Sequence, residues 1–313
     1  MSEAGTPLRS SPLRADVARF LHIIGRSLPE DVAPTLANIR AHADAIRTEL
    51  NRGGPVMDRQ QDVMSVSGMP ARLYVPEETA GTRLVVYLHG GGWTILGLDT
   101  HDRLMRELAS ASGLPVLALD YPLAPEHPFP RAIEAICTAL AGIDLPGLSP
   151  SLPLVLAGDS AGANLALGSY LHLGAPLGIG GLLLNYPVLD ADFTRPSYRR
   201  YGTAPYMLSI EKMAGFWSNY CPDPATRSDP RAAPLRADPA AIRVPVLMIV
   251  AGSDALRSEN EAFRKRLSDA GQAVDWHVYD DMPHAFLEAI SLLPEARHAV
   301  GVAANWLKGL KDG

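Results

Sequence analysis

The chain has 313 residues, 47% hydrophobic and 20% charged, with a formal net charge of −6. That composition is globular and the length suits one large α/β domain, while the scattered arginines form no basic run of the kind that binds nucleic acid. No apolar stretch reaches the roughly 18 residues of a transmembrane helix, the opening MSEAGTPLRSSPLRAD lacks the apolar core of a secretory signal, and Cys137 and Cys221 form no metal or redox motif, so a soluble cytoplasmic protein without membrane partners is expected.

Two helices are predicted over 11–50. Leu13, Val17, Phe20, Leu21 and Ile24 have helical spacing, as do Leu36, Ile39, Ala43 and Ile46, and the stretch Asn51-Arg52-Gly53-Gly54-Pro55 ends them. Strand-like runs follow at 62–67 and 71–75, close enough to pair as an antiparallel hairpin at one sheet edge. RLVVYL at 83–88, PVLAL at 115–119, PLVLA at 153–157, GLLLN at 181–185 and PVLMIVA at 245–251 are continuous apolar runs, suited to strands covered on both faces. AVDWHVY at 273–279 is the last strand. Helical patterns at 100–112, 130–141, 161–173 and 255–270 separate the strands, and one at 291–310 closes the chain. This alternation gives a doubly wound α/β fold with a mostly parallel central sheet of about eight strands. The segment 188–240 breaks the rhythm, with one helical stretch near 209–220; it reads as an insertion over the sheet, of the kind that often serves as a lid.

Between the strand at 153–157 and the helix at 161–173 the chain reads GDSAG, placing Ser160 between Gly158 and Gly162. A serine there can cap the helix. It can also be a nucleophile, because a sharp strand-to-helix turn lifts the hydroxyl above the sheet and the helix N-terminus faces any developing negative charge. A serine hydroxyl needs a base. Of nine histidines, His284 alone follows the last strand in a loop before the terminal helix, at the carboxyl end of the sheet where open α/β folds bind ligands. Asp254 follows the preceding strand and is the expected acid; its rival role is capping the next helix, and Asp280 and Asp281 are rival acids. The run HGGGW at 89–93 leaves backbone N–H groups free to converge on one oxygen, with Ala161, the residue after the serine, supplying another. A phosphate-binding glycine loop is the competing interpretation of this run, but no G-x-G-x-x-G phase or Walker lysine accompanies it.

HGGGW, DYPLAPEHPFP at 120–130, GDSAGANLA at 158–166, Asp254 and PHAF at 283–286 together resemble the hormone-sensitive-lipase family of bacterial esterases from about residue 60 onward. The resemblance implies the α/β-hydrolase fold and a serine carboxylesterase needing no metal or cofactor. It places a catalytic triad on Ser160, Asp254 and His284 and oxyanion donors on the amides of Gly91, Gly92 and Ala161. It gives Asp159 a supporting role and makes His89 a shaper of the loop. Pro122 stands where the family usually has arginine, which removes an expected charge partner of Glu126; Ala163 replaces a usual glycine, and Ala255 a frequent proline.

The chain is then one domain over 1–313 whose cap, matching the family's in position, comes from about 1–55 and 188–240. Trp93, Tyr206, Met207, Phe216, Trp217 and Phe286 are the candidates for lining a pocket under it, with core packing as the alternative for each. The expected substrate is a small-molecule ester with an acyl chain of roughly two to eight carbons, each methylene adding about 0.8 kcal/mol only while apolar wall remains. Lactones and aryl amides suit the same residues. Non-catalytic relatives lack the histidine, which is present here. The apolar strand at 273–279 is the basis for expecting a homodimer.

Overall fold

The runs read as doubly covered strands form the centre of a single eight-stranded sheet in a computed structural model, which describes residues 13–65, 68–79, 82–145, 147–174 and 178–311. Helices α1 (Ala15–Ile24) and α2 (Leu36–Leu50) come first, followed by β1 (Arg59–Met64) and β2 (Pro70–Val75). Then β3 (Leu84–Leu88), α3 (Leu98–Ser112), β4 (Val116–Leu119), α4 (Arg131–Ala141), β5 (Leu154–Asp159), α5 (Ala161–Leu173) and β6 (Ile179–Asn185) alternate. The insertion holds α6 (Pro196–Tyr201) and α7 (Ile210–Tyr220), and β7 (Val246–Ser253), α8 (Arg257–Asp269), β8 (Val274–Pro283) and α9 (Pro294–Gly309) complete the chain.

β1 begins at Arg59, ahead of the run at 62–67, because Arg59, Gln60 and Gln61 pair across to Val75, Tyr74 and Leu73 of β2. The end of that run, 66–67, and residues 1–12 lie outside the described residues. The helix α6 was not foreseen; at six residues it is too short to show an apolar period. Ile39 has the helical spacing of Ala43 and Ile46 yet is 38% exposed, since the buried stripe of α2 runs through Ala43, Ile46, Arg47 and Leu50.

The strand order is β1-β2-β4-β3-β5-β6-β7-β8; β2 runs antiparallel to both its neighbours and the other pairs are parallel. Alternate strand residues feed opposite cores. Leu84, Val86 and Leu88 of β3 pack with α4, α5 and α8, whereas Val85 and Tyr87 pack with α1, α3 and α9. β3 has β4 on one side and β5 on the other, so the winding reverses there. A crevice opens at the carboxyl ends of strands that flank such a reversal. The pairing of Leu88 with Gly158 brings the ends of β3 and β5 side by side, and with them HGGGW and Ser160.

Candidate active site

Ser160 sits on a backbone that side chains rarely adopt, φ 53° and ψ −119°. The surroundings hold it there: its N–H donates to the Asn185 carbonyl at 2.9 Å, and its own carbonyl accepts from Val188 at 3.3 Å. The turn demands glycine on both sides. A Cβ on Gly162 would lie 2.0 Å from the Leu88 carbonyl oxygen, and one on Gly158 would lie 2.5 Å from the Gly162 carbonyl carbon. The side chain of Ser160 makes no cap contact with α5. Its Oγ lies 2.8 Å from Nε2 of His284 instead.

Strand pairing brings the other two groups together. Ser253 of β7 is opposite Pro283 of β8, so the next residues, Asp254 and His284, are neighbours. The strand extends past residue 279 because Ala251 pairs with Tyr279 and Ser253 with Pro283, leaving a bulge in β8. Asp254 Oδ2 lies 2.7 Å from His284 Nδ1, while Oδ1 accepts the Leu256 N–H at 3.1 Å. The second contact holds the turn before α8 and is not a helix cap, since α8 begins at Arg257 without a side-chain cap. Burial disfavours charge on His284, but the adjacent Asp254 carboxylate outweighs that and leaves its pKa raised. Asp280 pairs with Arg257 at 3.3 Å, away from the histidine. Tyr186 packs edge-on to the His284 ring at 5.1 Å.

The glycine loop is held from beneath. Asp159 Oδ1 accepts the Gly90 N–H at 3.0 Å and the Tyr87 hydroxyl at 3.1 Å, and His101 Nε2 stands 3.3 Å away, both side chains being buried. Burial opposes ionisation of Asp159, yet His101 more than compensates and holds its carboxyl below the usual range. His89 is different. Burial, reinforced by His101, pushes its pKa down to about 3, so it is neutral; its ring stacks on Tyr121, whose hydroxyl donates to the His89 carbonyl at 2.7 Å. Among the described residues no acceptor takes the amide hydrogens of Gly91, Gly92 or Ala161.

A cavity of about 40 Å³ lies over Ser160 and His284. Trp93, Met207 and Phe216 line it together with Gly91 and Gly92. Tyr206, Trp217 and Phe286 do not. Trp217 is buried edge-on against Trp93 at 5.0 Å, Phe286 is buried between Tyr186 and Tyr279, and Tyr206 packs edge-on to Tyr201 at 4.9 Å. All three rings are used in packing, the competing role for an apolar aromatic. Leu208 and Met213 from the insertion, Arg47 from α2, Asp159 and Glu288 also line it.

The alpha/beta hydrolase fold family matches residues 85–288, from within β3 through the serine turn and Asp254 to His284. The chain is an α/β hydrolase. An ethyl acetate hydrolase of Pseudomonas putida is 36% identical to the hydrolase over 244 residues, 73% of this chain and 74% of the relative. The carboxylic ester hydrolase LipN of Mycobacterium tuberculosis is 33% identical over 297 residues, 90% of this chain and 77% of the relative. The solved structure of a hyperthermophilic esterase from the archaeon Pyrobaculum calidifontis superposes with a TM-score of 0.85 at 29% identity, covering 95% of this chain and 98% of that one. An esterase from the bacterial hormone-sensitive lipase family superposes with a TM-score of 0.83 at 28% identity, over 96% and 99% of the two chains.

Two arginines of the hydrolase escaped the sequence reading. Arg40 of α2 forks onto Glu126 with both contacts at 2.7 Å, and also donates to the carbonyls of Thr94 and Ala124 at 2.8 and 3.0 Å. It is a charge partner for Glu126 with proline at position 122, and its hydrogen bonds hold that carboxyl down at about 2. Arg47 lies in the apolar stripe of α2 and its Nε donates to Glu288 at 2.8 Å, both side chains being buried. The signal for Arg47 was present: a cation among Ala43, Ile46 and Leu50 at helical spacing faces inward and requires a partner.

Proposed function

We propose that this hydrolase is a serine carboxylesterase of the hormone-sensitive-lipase family that cleaves short-acyl esters through an acyl-enzyme. The reading rests chiefly on the chain of contacts from Ser160 Oγ to His284 Nε2 at 2.8 Å and from His284 Nδ1 to Asp254 at 2.7 Å. Ser160 attacks the ester carbonyl while His284 takes its proton, and Asp254 fixes the imidazole tautomer and stabilises the imidazolium. The amides of Gly91, Gly92 and Ala161 hold the oxyanion as the carbonyl carbon becomes tetrahedral. His284 then protonates the departing alcohol. Water, deprotonated by the same imidazole, releases the acid from Ser160.

In this reading α2 and the 188–240 segment form the cap, since Arg47, Met207, Leu208, Met213 and Phe216 all reach the cavity. The small cavity supports acyl groups at the short end of the two-to-eight-carbon range. The named activities of the relatives support esters over other acyl compounds. Two free, buried cysteines support a cytoplasmic location, and the edge position of β8 supports a homodimer. No helix among the described residues is long and apolar enough to cross a membrane.

The test is a hydrolysis panel of p-nitrophenyl esters, lactones and aryl amides with a Ser160→Ala control. Ester turnover that falls by about 10⁴-fold in the variant is expected. Undiminished turnover in purified Ser160→Ala removes the nucleophile, and faster cleavage of lactones or amides than of any ester replaces the substrate class.

A further inference from the structure

Arg47 is 4% exposed and lines the same cavity as Ser160 and His284. A guanidinium carries five N–H donors. The single one on Nε serves Glu288 Oε2 at 2.8 Å. The remaining donors, on the two Nη atoms, have no acceptor among the described residues, and neither atom belongs to the fully enclosed unpartnered set that includes His89 Nε2 and Trp217 Nε1. They are therefore not fully enclosed, on a side chain that lines the cavity. Dry burial of charged donors is costly, and a planar fork is suited to oxygen acceptors. Glu288 lies one turn beyond His284, so the fork is anchored to the same loop as the general base.

We propose that Arg47 is a specificity-determining residue that donates to an uncharged oxygen of the substrate, so that the preferred esters carry an ether, carbonyl or hydroxyl oxygen close to the scissile group. This rests on the serine-esterase reading of the site. Arg47 shares the cavity with Ser160 and His284, so the acceptor is placed close to the scissile carbonyl. An uncharged oxygen is favoured over a carboxylate because Glu288 already balances Arg47 and Asp159 also lines the cavity. A carboxylate entering there meets like charge, whereas an ether oxygen does not.

The test compares isosteres. In the acyl arm, p-nitrophenyl methoxyacetate is compared with p-nitrophenyl butyrate; in the alcohol arm, 2-methoxyethyl acetate is compared with butyl acetate. Each kcat/KM ratio is divided by the ratio for hydroxide, which removes intrinsic reactivity. In at least one arm the corrected ratio should be about tenfold or more in favour of oxygen. It should fall to near one in Arg47→Met. The double variant Arg47→Met/Glu288→Gln leaves no buried carboxylate unpaired, so it serves as a second folded probe and should lose the same discrimination. Monoethyl succinate should be a poorer substrate than ethyl 4-methylpentanoate after the same correction. A corrected ratio near one in both arms overturns the inference, as does a ratio unchanged in the folded double variant or a preference for the succinate. Ser160-dependent hydrolysis without oxygen discrimination removes this inference alone; hydrolysis that survives Ser160→Ala removes the underlying reading with it.

Discussion

Replacing Phe216 by alanine should move the acyl preference to longer chains. The ring packs so tightly over the glycine loop that a Cβ on Gly92 would fall 2.4 Å from it, and it forms one wall of the cavity. At 10–15 Å³ per water centre, a cavity of about 40 Å³ has room for roughly three waters, space for an acetyl or propionyl group. Longer chains must displace Phe216 or Met207, at about 1–3 kcal/mol. Phe216→Ala removes a phenyl ring and opens room for about three methylene groups, each contributing about 0.8 kcal/mol, or about fourfold in kcat/KM. The ratio of hexanoate to acetate turnover should therefore rise roughly 50-fold over the wild-type ratio. The assay is kcat/KM for the p-nitrophenyl series from acetate to octanoate, each below its micellar limit. A Phe216→Ala ratio equal to wild type would show that the ring does not bound the acyl site, and a wild-type optimum at octanoate would refute the argument from cavity size.

The proposed mechanism requires neutral His284 as proton acceptor, and its pKa is raised by Asp254, so kcat/KM should climb with pH through a value above the ordinary 6.5; an acid limb below 6.5 counts against the assignment. Asp254→Asn should cut kcat by about 10⁴-fold and shift the surviving limb to lower pH, whereas Asp280→Asn, on an exposed carboxylate paired with Arg257, should change kcat less than about threefold, and stopped-flow or steady-state rates that reverse this order would reassign the acid. Arg40→Ala removes a half-exposed ion pair and two carbonyl contacts, on the order of 2 kcal/mol, so calorimetry should show Tm lower by about 3 °C, with Arg40→Lys failing to restore it because the fork is bidentate. Light scattering at micromolar concentration should give twice the 33.5 kDa chain mass, since β8 is an edge strand carrying half-buried Trp276 and Val278; a monomer mass across that range counts against the dimer.

The elements and the order of the site were legible from sequence because they depend on local rules. Apolar runs covered on both faces, glycines at a forced turn and the succession of serine, acid and histidine are properties of short segments, and the described strands from β2 onward lie within a few residues of the runs that suggested them. Asp254 was preferred to Asp280 by its place after a strand, and the pairing of Ser253 with Pro283 explains why that place matters. What sequence left open was settled by side chains from distant segments competing for the same volume. Trp217 and Phe286 are as apolar as Phe216, yet packing against Trp93 and Tyr186 occupies them, and composition cannot distinguish a wall from a core. Arg40 and Arg47 reach their partners 86 and 241 residues away, a separation across which no local period carries information. The size of the cavity belongs to the same class: it is the space left after α2, the glycine loop and the 188–240 segment have packed together, and only their assembled positions determine it.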